Sequence, residues 1–216
     1  MELENHKEEV PFAHYAGLFR EIDPEKTAAH CGAAFQNGAF GLTLLGERYE
    51  IAWPKYAIRA EREDAFALGN LPTQTFLLRY LLEGKKAAPF TEFRTFREMP
   101  WGEMYITPYT GRVLKRAAFT FGGKLPQFRA ACEALGAVPV PHGDAGYRFE
   151  LLPGYFMQLL LWAGDEEFPP SAQVLYSDNF IRFAAEDRVV AGDILISAVR
   201  AKLPKPGCSA GANGAG

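Results

Sequence analysis

The stretch YRFELLPGYFMQLLLW, Tyr147 to Trp162, limits what this chain can fold into more than any other. Its first half alternates: Tyr147, Phe149 and Leu151 fall on one side, Arg148 and Glu150 on the other, the period of a strand with one wet face. Its second half, FMQLLLW, does not alternate and is interrupted only by Gln158, which predicts a strand covered on both faces. Pro153-Gly154 between them is a turn signal, so the two strands should run antiparallel. A third strand, QVLYS (Gln173 to Ser177), follows closely. Strands this apolar need a layer to cover them.

Helical periodicity supplies that layer. A first helix is expected from near Pro11, with Phe12, Tyr15, Phe19 and Ile22 at helical spacing. A second begins at DPEK, where Asp23 can cap and Pro24 suits the first turn, and it should stop at Gly32. Leu71 to Glu83 carries Phe76, Leu77, Tyr80 and Leu81 as a buried stripe. Val113, Leu114, Ala117, Ala118 and Phe121 share a face, and so do Leu125, Phe128, Cys132 and Leu135. A last helix is expected from about Ala185 to Ala201, with Glu186 and Asp187 in its first turn, where carboxylates favour the positive helix end. FGLTLLGERYEIAWP reads as a hairpin turning at Gly46-Glu47. Together these predict an α+β fold: an antiparallel sheet packed against several helices in a single domain. That domain is expected over residues 10–203, after a flexible N-terminus (1–9) and before a disordered Gly/Ala/Pro tail (204–216) without large apolar side chains.

Composition narrows the function classes. The 216 residues are 48% hydrophobic, enough for a sizeable core, and their formal net charge is −3. No basic half exists, so capture of nucleic acid or of an anionic membrane has no electrostatic support. The longest apolar run is too short to cross a bilayer, and the polar, acidic N-terminus is unlike a leader, so a cytoplasmic location is expected. Cys31, Cys132 and Cys208 are far apart and no C-x-x-C occurs, which argues against a cluster or structural zinc made by this chain alone. The motifs of common hydrolases, P-loop nucleotidases, dinucleotide enzymes and zinc proteases are missing. The cofactor is left unknown.

Two polar features stand out. The apolar strand runs through Trp162 into Gly164-Asp165-Glu166-Glu167. Neighbouring residues on an extended chain point apart, so only Asp165 and Glu167 can act together. A hard cation needs several oxygens, and His142, Asp144 or Glu186 would have to join them. The plainer reading is a solvated turn in which Asp165 bonds local backbone N–H groups. PHGDAG places His142 and Asp144 in a glycine-rich loop, open to a proton relay, a metal or an ordinary turn. Trp101, Tyr105 and Tyr109, preceded by Phe90, Phe93 and Phe96, would either line a cleft for a flat ligand or pin a long connection to the core.

The block HGDAGYRFELLPGYFMQLLLWAGDEEFPPSAQVLY, followed by FAAEDRVVAGDIL, resembles the domain-of-unknown-function family 3786. DPEK, GAAF, LTLLGERYEI and LLRYLLEG are similar to its N-terminal half, so the resemblance spans about Asp23 to Leu203. It implies a protein mainly of anaerobic bacteria and archaea with no assigned reaction. Some relatives add a four-cysteine iron–sulfur module resembling that of corrinoid iron–sulfur proteins, which this chain lacks. The favoured expectation is a binding or accessory protein of anaerobic metabolism, handling a small ligand, cofactor or partner protein in corrinoid or one-carbon pathways. His142, Asp144, Trp162, Asp165, Glu166 and Glu167 are its candidate ligand-binding residues. The alternative is a carboxylate-based enzyme using Asp144, Asp165 and Glu167, with a metal and His142 assisting. The alternative requires the two turns to converge in one pocket.

Overall fold

The computed structural model describes residues 6–84 and 86–204. The expected tail beyond Pro204, including Cys208, and residues 1–5 lie outside that set. Two antiparallel sheets and a helical layer make up the fold, which is α+β. β1 (Ala34–Gln36), β2 (Ala39–Leu44), β3 (Glu47–Ala52) and β4 (Ala57–Ala60) form a meander in chain order. The second sheet has the order β5-β9-β8-β7-β6, built from β5 (Phe93–Thr95), β6 (Val138–Pro139), β7 (Ala145–Leu152), β8 (Tyr155–Trp162) and β9 (Ser171–Ser177). The antiparallel β7-β8-β9 pairing agrees with the sequence, and Leu152 faces Tyr155 across the Pro153-Gly154 turn.

β8 is covered on one face rather than two. Tyr155, Met157, Leu159 and Leu161 are buried on one side, each such burial being worth roughly 1.5–3 kcal/mol. On the other side Leu160 is buried but Phe156, Gln158 and Trp162 are only half-buried. No helix was needed there, because side chains shield one another. Phe90 packs on Phe93 and on Phe156, with ring centroids 5.3 Å apart in both cases, and the Arg148 guanidinium lies 5.6 Å from the Phe156 centroid.

The helices explain themselves at their ends. α1 (His6–Arg20) starts before the expected Pro11 and carries that proline internally, in its second turn. α2 (Pro24–Cys31) is capped as expected: the Lys26 N–H donates to Asp23 at 3.2 Å, and Gly32 closes the helix in the left-handed region. α3 (Leu71–Leu82) is capped by Asn70. α4 (Gly102–Tyr109) runs through a π-helical turn, Thr110–Lys115, into α5 (Arg116–Phe121). Pro108 lacks the amide that would close an ordinary turn on Met104, and the wider turn follows it directly. α6 is Leu125–Ala134 and α7 is Ala185–Ala201.

α5 packs on β8 and β9, α6 on β7, and α7 lies against α3, α4, α5 and α6. Eleven of the 17 residues of α7 are buried, so it is the centre of the helical layer rather than its rim. One hydrophobic core joins both sheets, and the Leu45 N–H bonds the Leu151 carbonyl at 3.0 Å across them. Cys31 and Cys132 are free and buried, and burial pushes both thiols up. Among the described residues no helix is long and apolar enough to cross a membrane.

Candidate functional site

The two sequence motifs do meet at one end of the second sheet, through backbone. Asp144 accepts the Ala163 N–H at 2.7 Å, and its own N–H donates to the Leu161 carbonyl at 2.8 Å. Gly143, at φ +71°, lies where a Cβ would come within 2.7 Å of the Leu161 oxygen, so the loop hugs the end of β8. Asp165 Oδ1 accepts from the amides of Phe168 and Glu167, and those bonds hold its carboxyl below the usual carboxylate range. His142, Asp144, Asp165, Glu166 and Glu167 are all exposed and Trp162 is half-buried. Glu186 does not join them; it accepts a hydrogen bond from the Tyr105 hydroxyl. Among the described residues no group of three or more His, Cys, Asp or Glu could hold a metal ion. Asp144 thus ties the loop before β7 to the end of β8, while Asp165 holds its own turn.

A different site lies beyond the other end of β8. Phe180 and Phe183 pack on Tyr155, with ring centroids 5.3 and 4.8 Å apart, and lead the chain into the start of α7. Here a cleft of about 570 Å3 runs between Pro100–Tyr105 and residues 181–188, with Arg79 and Glu83 also on its wall. That volume suits a small molecule. Trp101 stands at its edge, 71% exposed, with φ +64°, a left-handed conformation costly for a bulky residue. Gly102 makes the bend possible: a Cβ there would overlap the Phe96 carbonyl. Met104 and Ile181, both exposed, and half-buried Tyr105 add apolar surface. Phe96 and Tyr109 are core instead, stacked at 4.0 Å with rings 7° from parallel, and Phe90 and Phe93 are half-buried.

Arg188 forms part of the cleft wall and is only 1% exposed. Its Nη2 donates to the Pro100 carbonyl, and its guanidinium carbon is 5.8 Å from the Phe96 ring centroid. Nε and Nη1 make no hydrogen bond. The acids beside it in sequence are engaged elsewhere, Glu186 with Tyr105 and Asp187 with Arg79 at 3.1 Å. Burial accordingly pulls the Arg188 pKa down, although arginine keeps its proton. Asp187 and Glu186 offset that burial in part, but a buried guanidinium with unpaired N–H groups is a costly arrangement. The α7 N-terminus opens on the same cleft with Ala184 as its cap, so no side chain caps its first-turn amides.

Sequence reasoning named Trp101 and Tyr105 as possible cleft residues and missed Arg188. The signal was present: Arg188 lies three residues before Ala191 and seven before Leu195, a charge on the apolar stripe of α7.

Two antiparallel sheets under a helical layer, with an aromatic-rimmed cleft at a helix start, define an α+β protein. The family described as "Domain of unknown function (DUF3786)" matches residues 23–198, and the chain belongs to it. No curated protein and no solved structure matches the chain.

Proposed function

We propose that this is a non-catalytic binding protein that holds a small molecule in the cleft between Pro100–Tyr105 and the start of α7. What carries this reading is Trp101. A tryptophan kept in the left-handed region and largely in water, on the rim of a cleft, is a strained and solvent-costly arrangement that a ligand's apolar surface would relieve. The wider placement, an accessory role in anaerobic corrinoid or one-carbon metabolism, rests on the family resemblance alone, and nothing in the cleft singles out a corrinoid. The test is native mass spectrometry of protein purified without oxygen from its own host, beside a Trp101→Ala variant expressed there. A retained small molecule, lost or reduced at least severalfold in the variant, is expected. A molecule retained equally by both proteins, or none retained by wild type, counts against the cleft.

A further inference from the structure

The geometry points to a carboxylate as the group this cleft recognises: a small monoanionic acid with an apolar body, its carboxylate bridging the Arg188 guanidinium and the first-turn amides of α7. This deepens the reading of the cleft as the ligand site and rests on it.

Two independent features converge. Arg188 is almost wholly buried, its Nε and Nη1 make no hydrogen bond, and among the described residues its hydrogen-bond partner is the Pro100 carbonyl, a neutral acceptor. Nε–H and the Nη1 hydrogens point to different sides of the guanidinium, so each offers a carboxylate oxygen a single charge-assisted bond. Beside it the helix start presents amide hydrogens and the positive end of a 17-residue helix, capped by an alanine where Ser, Thr, Asp or Asn would usually accept them. An anion placed there answers both at once.

The neighbours set the charge and the shape. Among the described residues three arginines and two glutamates line the cleft. Arg79 is paired with Glu83 and Asp187 and Arg182 donates to the Lys86 carbonyl at 2.8 Å, while Arg188 differs from both in being buried with unpaired N–H groups. With Glu83 and Glu186 already on the wall, the cleft favours a single negative charge over a doubly charged phosphate. Trp101, Met104, Tyr105 and Ile181 supply the apolar contact for the rest of the molecule. Nε and Nη1 are buried, so binding requires the guanidinium to be uncovered, which the bond from Nη2 to the Pro100 carbonyl resists.

The test uses small acids paired with their primary amides: phenylacetate and phenylacetamide, indole-3-acetate and indole-3-acetamide, hexanoate and hexanamide. Phenyl phosphate is added as a dianion. Binding is read by ligand-observed NMR and calorimetry on wild type, Trp101→Ala, Arg188→Met and Ala184→Asp. At least one acid is expected to bind about tenfold or more tightly than its amide, with that preference lost in Arg188→Met. Ala184→Asp guards against an Arg188 variant that fails to fold. Its carboxylate caps α7 from within, so the melting temperature should rise while acid binding falls by a similar factor. Amides binding as well as acids, at a site still sensitive to Trp101→Ala, would falsify the carboxylate assignment and leave the cleft standing. Acid binding unchanged in Ala184→Asp sinks it too, and a preference for phenyl phosphate replaces it with a phosphate site. No probe sensitive to Trp101→Ala removes the cleft reading itself.

Discussion

Asp165 shows how a residue that looks chemical also holds its own turn. Its carboxylate gathers two backbone amides of its own turn, and these bonds, chiefly from Phe168, depress its pKa. A depressed carboxylate contributes stability that is present above its unfolded pKa, about 3.9, and lost as pH falls through the lower folded value. We therefore expect Asp165→Ala to melt a few degrees below wild type at neutral pH, and Asp165→Asn to fall between them, since its amide oxygen still accepts. The gap between wild type and Asp165→Asn should close as the medium is acidified through that range. Melting curves that coincide at neutral pH would mean the turn is held by other bonds. The turn role of Asp165 was legible because an aspartate after glycine has few other uses. Arg188 was less so, because a sequence shows that a charge sits on an apolar stripe but not whether a counter-charge reaches it from another element.

At the scale of elements, the hairpin between β2 and β3 shows where local rules yield to packing. Glycine marks the turn, but the turn residues are Leu45 and Gly46, both at positive φ, not Gly46-Glu47. Leucine is a poor choice there by backbone preference, by about 1–2 kcal/mol. It is kept because Leu45 is 2% exposed and its amide ties the first sheet to Leu151 of the second. Losing that burial costs about 1.5–3 kcal/mol, and an asparagine would also bury an amide group. Leu45→Asn, a favourable change for an isolated hairpin, should thus destabilise the protein by about 1–3 kcal/mol, read from the urea midpoint. An unchanged or raised midpoint would show that backbone strain outweighs the contact. β1, β4, β5 and β6 escaped sequence reasoning for a different reason: strands of two to four residues are too short to display a period. α7, long and strongly patterned, agrees with its expected bounds at both ends.

For the whole molecule, the α+β class was legible and the division of its strands into two sheets was not, since alternation tells which face is buried but not which strand lies beside it. What binds the parts includes a polar tie. Lys202, at the end of α7, reaches Glu47 of β3 at 2.9 Å and the Asp64 carbonyl at 3.0 Å, with the Lys202 and Glu47 side chains 14% and 10% exposed. Glu47, foremost, raises the Lys202 pKa. A raised lysine contributes stability that is fully present below its unfolded pKa, about 10.4, and lost as pH rises through the folded value. Lys202→Met leaves Glu47 enclosed without its cation, and should lower stability by about 1–3 kcal/mol at neutral pH. The deficit should shrink in strongly alkaline buffer. A deficit independent of pH would assign the loss to packing of the lysine stem.

The position of α7 has a consequence for biosynthesis. Synthesis delivers this segment after both sheets and all the other helices, yet α3, α4, α5 and α6 rest on it. A chain lacking the residues from 185 on therefore leaves the faces that those helices turn toward α7 uncovered. The core closes only when α7 docks on the four helices that lie against it.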